Sequence, residues 1–124
     1  MELLYQLSLE DIRMGIVSNK PIKVTETILE HFDIIDYFDV MVGPELIKEI
    51  KPAPDGINMI CDRFDISKDE TIFFGDTEVD VRTGDNAGVY CVSVLWGFRD
   101  RAFLSRNGAH LFIENPYDIL DMLD

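Results

Sequence analysis

Three groups of polar residues lie next to apolar or turn-forming segments of this sequence, and their types suit chemistry on a phosphate group. Ser18 and Asn19 come directly after the apolar run MGIVS, Lys51 opens the turn-rich KPAPDG, and Asp76 and Asp80 come directly after TIFFG. Hydroxyls and free N–H groups at a helix start bind phosphoryl oxygens. A lysine neutralises the charge that develops in phosphoryl transfer. Carboxylates hold Mg²⁺, which prefers oxygen ligands.

Each group also has a purely structural interpretation. The SNKP segment is typical of a helix start, where a hydroxyl or amide caps free N–H groups and a proline occupies the first turn. A lysine in a proline-rich loop is usually solvated, and acidic residues in a first helical turn favour the helix macrodipole without any metal. Taken singly, the structural interpretation is favoured for each group, because short motifs often match by chance. Only their occurrence together favours the chemical one.

Short apolar runs alternate with helical patterns along the whole chain. The runs predict strands at 14–18, 39–43, 71–75, 89–97 and 109–113. Helical patterns occur over 2–13, after the acidic cluster that follows 75, and over 99–106. A helix is predicted to begin at Pro21, with an apolar stripe of Val24, Ile28, Leu29 and Phe32, and another at Pro54, with Ile57, Ile60, Cys61 and Phe64. A last helix is predicted to begin at Asn115 and Pro116, with apolar residues Tyr117, Leu120 and Leu123.

This alternation indicates an α/β fold with a mostly parallel sheet covered by helices on both faces. In such sheets, ligands bind beyond the carboxyl ends of the strands. The three polar groups each lie at a strand exit or a helix start, so we expect them along that edge.

Length and composition limit the classes of protein and the kinds of partner that fit this chain. A chain of 124 residues is one domain. Its net charge of −13 argues against nucleic-acid and anionic-membrane partners, which need a positive surface. We find no apolar stretch of membrane-spanning length and no signal-peptide pattern. Cys61 and Cys91 lack a paired spacing, so we interpret both as reduced core thiols and expect a cytoplasmic protein.

Three segments resemble a known family. GIVSN at 15–19, KPAPDGI at 51–57 and IFFGDTEVDV at 72–81 resemble the second, third and fourth motifs of the haloacid-dehalogenase-like (HAD) hydrolases, phosphoglycolate phosphatases in particular. The AGV before the fourth strand and the GAHLFIENPYDIL ending extend the resemblance over essentially the whole chain. It implies a three-layer Rossmannoid fold and a Mg²⁺-dependent phosphatase that hydrolyses a small phosphate monoester through a phosphoaspartate.

The resemblance also implies roles for individual residues. Ser18 and Lys51 would bind the phosphoryl group, with Asn19 supporting that site. Asp76 would ligate Mg²⁺, and Asp80 would either ligate the ion or orient its surroundings. Thr77 would help shape the metal loop.

One part of the family pattern is missing. HAD hydrolases attack phosphorus with the first aspartate of a D-x-D motif after the first core strand, and no D-x-D occurs among the 124 residues. The resemblance places that strand in the centre of the sheet, between 14–18 and 71–75. We therefore expect residues 1–124 to form a partial core domain without the first strand or a cap domain. Such a chain should bind Mg²⁺ weakly or not at all and be inactive alone.

Alternatives follow from the same residues. The chain could be a non-catalytic HAD-like module that binds a phosphate ligand or a protein partner. An unrelated doubly wound domain, such as a phosphoacceptor receiver, fits less well because its acidic pair and lysine occur in a different order. A missing central strand leaves two apolar edges. The expected consequence is a non-native closure, a strand-exchanged homo-oligomer or an aggregation-prone fragment.

Overall fold

A computed structural model describes residues 2–10, 12–95, 100–109 and 111–122. The strands are β1 (Gly15–Val17), β2 (Val40–Val42), β3 (Ile72–Gly75), β4 (Tyr90–Val94) and β5 (Phe112–Ile113). The α-helices are α1 (Glu2–Leu9), α2 (Ile22–His31), α3 (Asp55–Phe64), α4 (Glu78–Ala87), α5 (Arg101–Arg106) and α6 (Asp118–Asp121). Short 3₁₀ turns occupy Ile35–Tyr37, Pro44–Leu46 and Lys68–Glu70.

The predicted parallel sheet is present in two pieces. β1 pairs in parallel with β2, with Gly15 opposite Val40. β3, β4 and β5 form a second parallel sheet in that order. The division falls between β1 and β3, where the resemblance predicts one further strand.

Helix α3 packs across this division. Ile57 and Cys61 of α3 are buried together with Ala87 of α4. Val17 from β1 and Phe73 from β3 both pack against this cluster, so one helix covers the inner edges of both sheets. The helix lies close to β1, since a side chain at Gly56 would come within 2.6 Å of a Val17 methyl group.

A second core lies within the three-stranded sheet. Its fully or nearly buried members are Val92, Val94 and Ile113, with Ile72, Phe74 and Ile119 packed against them. Leu104 of α5 is also fully buried. Arg101, at the start of α5, places its guanidinium 4.7 Å from the centre of the Phe112 ring, which holds the helix beside β5.

The predicted apolar stripe of α2 is largely wrong as a buried face. Leu29 is 7% exposed, but Val24, Ile28 and Phe32 are 44%, 39% and 59% exposed. The periodicity correctly placed Val24, Ile28 and Leu29 on a helix, whereas Phe32 is the residue just after its end. It could not show that, within the part of the chain that the structure describes, Leu29 alone of the four is covered.

The other predicted elements are found with shorter bounds. The first helix ends at Leu9 and does not continue toward 13. Residues 96–99, His110 and Leu123, which belong to predicted elements, lie outside the described residues. None of the described helices is long and apolar enough to cross a membrane.

Candidate functional site

The acidic cluster after β3 forms a capped helix start. The Thr77 hydroxyl accepts a hydrogen bond from the Asp80 amide at 3.2 Å. The Asp80 Oδ2 atom in turn accepts from the Asp76 amide at 3.2 Å, the Thr77 amide at 3.4 Å and the Thr77 hydroxyl at 3.1 Å. This reciprocal capping box satisfies N–H groups that a helix start otherwise leaves unpaired. One oxygen of Asp80 is thereby occupied in fixing the loop.

Gly75 allows this loop to turn so tightly. A Cβ atom at this position would lie 2.2 Å from Cβ and 2.5 Å from Cγ of Asp80. Real Cβ atoms essentially never approach so closely. The glycine that ends β3 is therefore required for Asp80 to fold back over the strand end.

The other oxygen of Asp80 binds Lys51. Asp80 Oδ1 accepts from Lys51 Nζ at 2.8 Å. The side chains are 16% and 9% exposed, respectively, so water screens this pair much less than a surface ion pair. The predicted carboxylate and lysine thus meet, and Asp80 acts as the counter-ion of the lysine.

Backbone contacts hold Lys51 from two sides. The Asn19 side chain accepts from the Lys51 amide at 3.1 Å and donates to the Lys51 carbonyl at 3.4 Å. The amide of Asn86 in α4 donates to the Pro52 carbonyl at 2.9 Å. The loop is therefore attached both to the segment after β1 and to α4.

The SNKP segment does not cap α2 in the way its structural interpretation suggests. The Ile22 amide donates to the Glu45 carboxylate, at 2.9 Å to Oε2, and Asn19 is bonded to Lys51 instead. The Ser18 hydroxyl accepts from the Lys20 amide at 3.0 Å, ahead of the helix. Glu45, which sequence reasoning missed, provides the contact to α2.

A cavity of about 310 Å³ lies beside these residues. Its polar lining comes from Lys51, Asp76 and Asp80, and its apolar lining comes from Val17, Phe73, Phe74, Gly75 and Val94. The cavity therefore extends from the polar edge down between β1 and β3.

The residues present fit a Mg²⁺ ion only in part. Both oxygens of Asp80 are engaged, one with Lys51 and one with the capping box. Asp76 is half-buried and lines the cavity. No cluster of three or more His, Cys, Asp or Glu side chains suited to a metal ion occurs among the residues with described positions. Proteins usually bind Mg²⁺ through one or two carboxylates, waters and substrate phosphates, and Asp76 matches one such carboxylate.

Neither cysteine is an activated nucleophile. Burial raises the pKa of the Cys91 thiol to about 11, and the negative charges of Asp85 and Asp80 act in the same direction. Cys61 is buried, and both cysteines are free thiols. The interpretation of both as reduced thiols without a nucleophilic role agrees with these surroundings.

The sheet, the capped acidic loop and the clamped lysine define an α/β protein with a polar site at the carboxyl ends of parallel strands. A family profile described as haloacid dehalogenase-like hydrolase matches residues 1–94. The chain belongs to this family, as its motifs indicated.

Curated relatives match nearly the whole chain but extend well beyond it. The phosphoglycolate phosphatase of Photorhabdus laumondii is 29% identical over 120 residues, which are 97% of this chain and 51% of the relative. The N-acetylmuramic acid 6-phosphate phosphatase of Pseudomonas aeruginosa is 27% identical over 124 residues, 99% of this chain and 55% of the relative. The chain thus spans about half the length of these relatives.

Solved structures agree with the fold. The crystal structure of a predicted phosphoglycolate phosphatase from Haemophilus somnus superposes with a TM-score of 0.90 at 27% identity. The superposition covers 99% of this chain and 55% of the other. The HAD-like α/β fold is therefore shown directly, although the sheet of this chain is divided between β1 and β3.

Proposed function

We propose that residues 1–124 provide the phosphate-binding side of a HAD-type phosphatase that acts on a small phosphate monoester, as phosphoglycolate phosphatases do. The arrangement of Lys51 carries this proposal. Its backbone is clamped by Asn19 and its ammonium is bonded to Asp80, beside a cavity that Asp76 also lines. The names of the relatives, phosphoglycolate and N-acetylmuramic acid 6-phosphate phosphatase, support a phosphorylated metabolite as substrate.

Lys51 would bind the phosphoryl oxygens. An ammonium has three donor hydrogens, and the bond to Asp80 uses one of them, so two are left for an anion. Ser18 follows β1 at the same edge and would add its hydroxyl. Asn19 supports the site by fixing the backbone of Lys51 rather than by touching the substrate.

Asp76 would supply a carboxylate to Mg²⁺, the ion on which HAD phosphatases usually depend. Of the two roles that the resemblance allows Asp80, the contacts favour orientation, because its oxygens already bind Lys51 and the loop amides. Bound Mg²⁺ would neutralise charge on the phosphoryl oxygens. With Asp76 alone, we expect the affinity of this chain for Mg²⁺ to be weak.

We propose that this chain does not catalyse hydrolysis alone. The family reaction needs the nucleophilic aspartate of a D-x-D motif, and the sequence has none. Burial raises the pKa of the Cys91 thiol and Cys61 is buried, so neither cysteine offers a substitute. Phosphate binding and turnover should therefore be separable in this chain.

An NMR titration with inorganic phosphate tests the binding part. We expect the amide signals of Ser18 and Lys51 to shift in a saturable way, and Lys51→Met to abolish the shifts. Lys48→Met is the matched control, because Lys48 is an exposed lysine nearby in the chain. Equal shifts in wild type and Lys51→Met would refute the assignment of Lys51.

The second candidate is a non-catalytic module that binds a phosphate ligand. The engagement of both Asp80 oxygens, with Lys51 and with the loop at the start of α4, favours it, because Asp80 is then not available to a metal ion. The two candidates differ in their use of Mg²⁺. Phosphate binding that Mg²⁺ strengthens, with the effect lost in Asp76→Asn, supports the phosphatase half-site. Phosphate binding that is indifferent to Mg²⁺ supports the module.

A further inference from the structure

Side chains from two parts of the chain hold Lys51 and Pro52, and one of these side chains has no role in the proposed function. Asn19 bonds to the amide and the carbonyl of Lys51, and Asp80 bonds to the lysine ammonium. Asn86 donates to the Pro52 carbonyl at 2.9 Å. The family resemblance implies roles for Asn19 and Asp80. Asn86 lies in the last turn of α4, outside the three motif segments.

Asn86 is not needed to end its own helix. Gly88 follows α4 in the left-handed conformation, with a φ of +74°, and its amide donates to the Gly84 carbonyl at 3.0 Å. The Val89 amide donates to the same carbonyl at 3.3 Å. A glycine in this conformation is a common end of a helix. The cap of α4 is thus complete without Asn86, whose side chain bonds instead to the Lys51 loop.

The bond from Asn86 is not required to satisfy a buried group either. Pro52 and Asn86 are both exposed residues, so water can reach this contact if Asn86 is replaced. A substitution at an exposed position also opens no cavity in the core. Because proline has no amide N–H, the carbonyl is the only backbone group through which Pro52 can be held by a hydrogen bond. The bond therefore serves the position of the loop rather than the stability of the core.

Helix α4 holds Lys51 at both ends. Asn86 bonds beside the lysine backbone, and Asp80 bonds to the lysine ammonium at 2.8 Å. Asp80 and Asn86 are six residues apart in α4, which is about 9 Å along the axis of an α-helix. The lysine is therefore tied along α4, from a backbone fixed near Asn86 to an ammonium fixed at Asp80.

Helix α4 is a firm support for these bonds because it packs closely on β4. A Cβ atom at Gly84 would lie 2.6 Å from Cβ of Cys91, so the helix and the strand touch at this point. Thr83, the preceding residue, is fully buried. The helix cannot follow a displaced loop without disturbing this contact, so the loop takes its position from α4.

We propose that Asn86 is a positioning residue for Lys51, whose bond to Pro52 keeps the lysine ammonium where it can bind a phosphate group. The inference rests on the proposed function for the phosphate group itself, and Asn86 does not touch the ligand. Without the bond, Asn19 still holds the backbone of Lys51, but the loop is no longer tied at Pro52 to the helix that carries Asp80. The two ammonium hydrogens left for an anion are then less well placed.

Two variants separate the hydrogen bond from the shape of the side chain. Asn86→Leu keeps nearly the size and branching of asparagine but has no donor, and Asn86→Ala removes both. Ser105→Ala is the control, because Ser105 is an exposed, neutral residue of another helix, α5. NMR titration with inorganic phosphate gives the dissociation constant of each chain. All chains are compared at a temperature at which they are fully folded, so differences in global stability do not change this constant.

We expect both Asn86 variants to bind phosphate about three- to tenfold more weakly, which corresponds to the loss of one neutral hydrogen bond. Ser105→Ala should bind phosphate as the wild type does. The ¹H–¹⁵N signal of the Lys51 ammonium without phosphate gives a second measurement, since the bond to Asp80 slows exchange of its hydrogens with water. In both Asn86 variants this signal should weaken toward that of the exposed Lys48.

Unchanged phosphate binding in both Asn86 variants would overturn the inference, because the bond would then be a local attachment of the loop and nothing more. Weaker binding in Asn86→Ala alone would also overturn it, since the shape of the side chain and not its donor would then matter. If the wild type binds no phosphate, the proposed function fails and the Lys51 ammonium signal decides the inference by itself. An ammonium signal unchanged in Asn86→Leu would refute the positioning role.

Discussion

Strands β4 and β1, one from each sheet of this protein, differ in how well they are covered. In β4, Val92 and Ser93 are 0% and 2% exposed. In β1, Gly15 is exposed and the other two residues are half-buried. Among the described strands, β4 lies between β3 and β5, whereas β1 pairs only with β2, in which Val42 is 1% exposed. The difference shows that a strand with neighbours on both sides is better covered than a strand at an edge.

The largest expected effect on the free energy of unfolding concerns a fully buried side chain of α5. Leu104→Ala removes a fully buried side chain and should lower the free energy of unfolding by about 2–5 kcal/mol. Leu9→Ala is the matched control, because Leu9 is 68% exposed and its loss should cost no more than about 0.5 kcal/mol. Urea unfolding followed by circular dichroism measures both. Similar losses in the two variants would contradict the comparison.

A smaller effect is expected where β3 turns into the acidic loop. Gly75→Ala forces Asp80 away from the strand end and should cost about 1–3 kcal/mol in the free energy of unfolding. Gly15→Ala is the control in β1, where the nearest atom, at 2.9 Å, is the Cδ1 end of the Ile60 side chain. The end of a flexible side chain can move aside, so this variant should cost less. A larger loss for Gly15→Ala would show that β1 is packed more tightly than the end of β3.

The ion pair between Lys51 and Asp80 should contribute less to the free energy of unfolding than the two features above. Lys51→Met leaves the carboxylate of Asp80 without its cation and should cost about 1–2 kcal/mol, below the range for fully buried pairs because both side chains keep some exposure. Lys48→Met should be nearly neutral, since Lys48 is exposed. Chemical denaturation of both variants at one salt concentration gives the difference. A neutral Lys51→Met would mean that the pair does not stabilise the fold.

The smallest effect concerns the pH dependence of Cys91. Its pKa is raised to about 11 from the ordinary value of 9.0, chiefly by burial. The folded state thus holds the proton more tightly, so stability from this group is complete below pH 9 and declines as the pH rises toward 11. Iodoacetamide should modify Cys91 slowly at pH 8 in the native chain and faster after unfolding, as read by mass spectrometry. Rapid native labelling that Cys91→Ser removes would contradict the raised pKa.

The fold was largely predictable because its signals are local. Short apolar runs predicted the strands, and all five are found within the predicted segments. Thr77 and Asp80, three residues apart, form a helix cap of the kind that a short motif can indicate.

The contacts that position the site were not predictable in the same way. Asn19 and Lys51 are 32 residues apart, and Asn86 and Pro52 are 34 apart. No local pattern reveals such pairs, because they depend on how the elements pack. The stripe of α2 failed for a related reason, since periodicity shows which residues share a face but not what covers that face.

The most direct test is turnover of p-nitrophenyl phosphate by residues 1–124 with Mg²⁺ present. We predict no release of p-nitrophenol above the protein-free rate, while inorganic phosphate still shifts the Lys51 signal. Enzymatic turnover that Asp76→Ala abolishes would contradict this prediction, because these 124 residues would then contain a complete catalytic site.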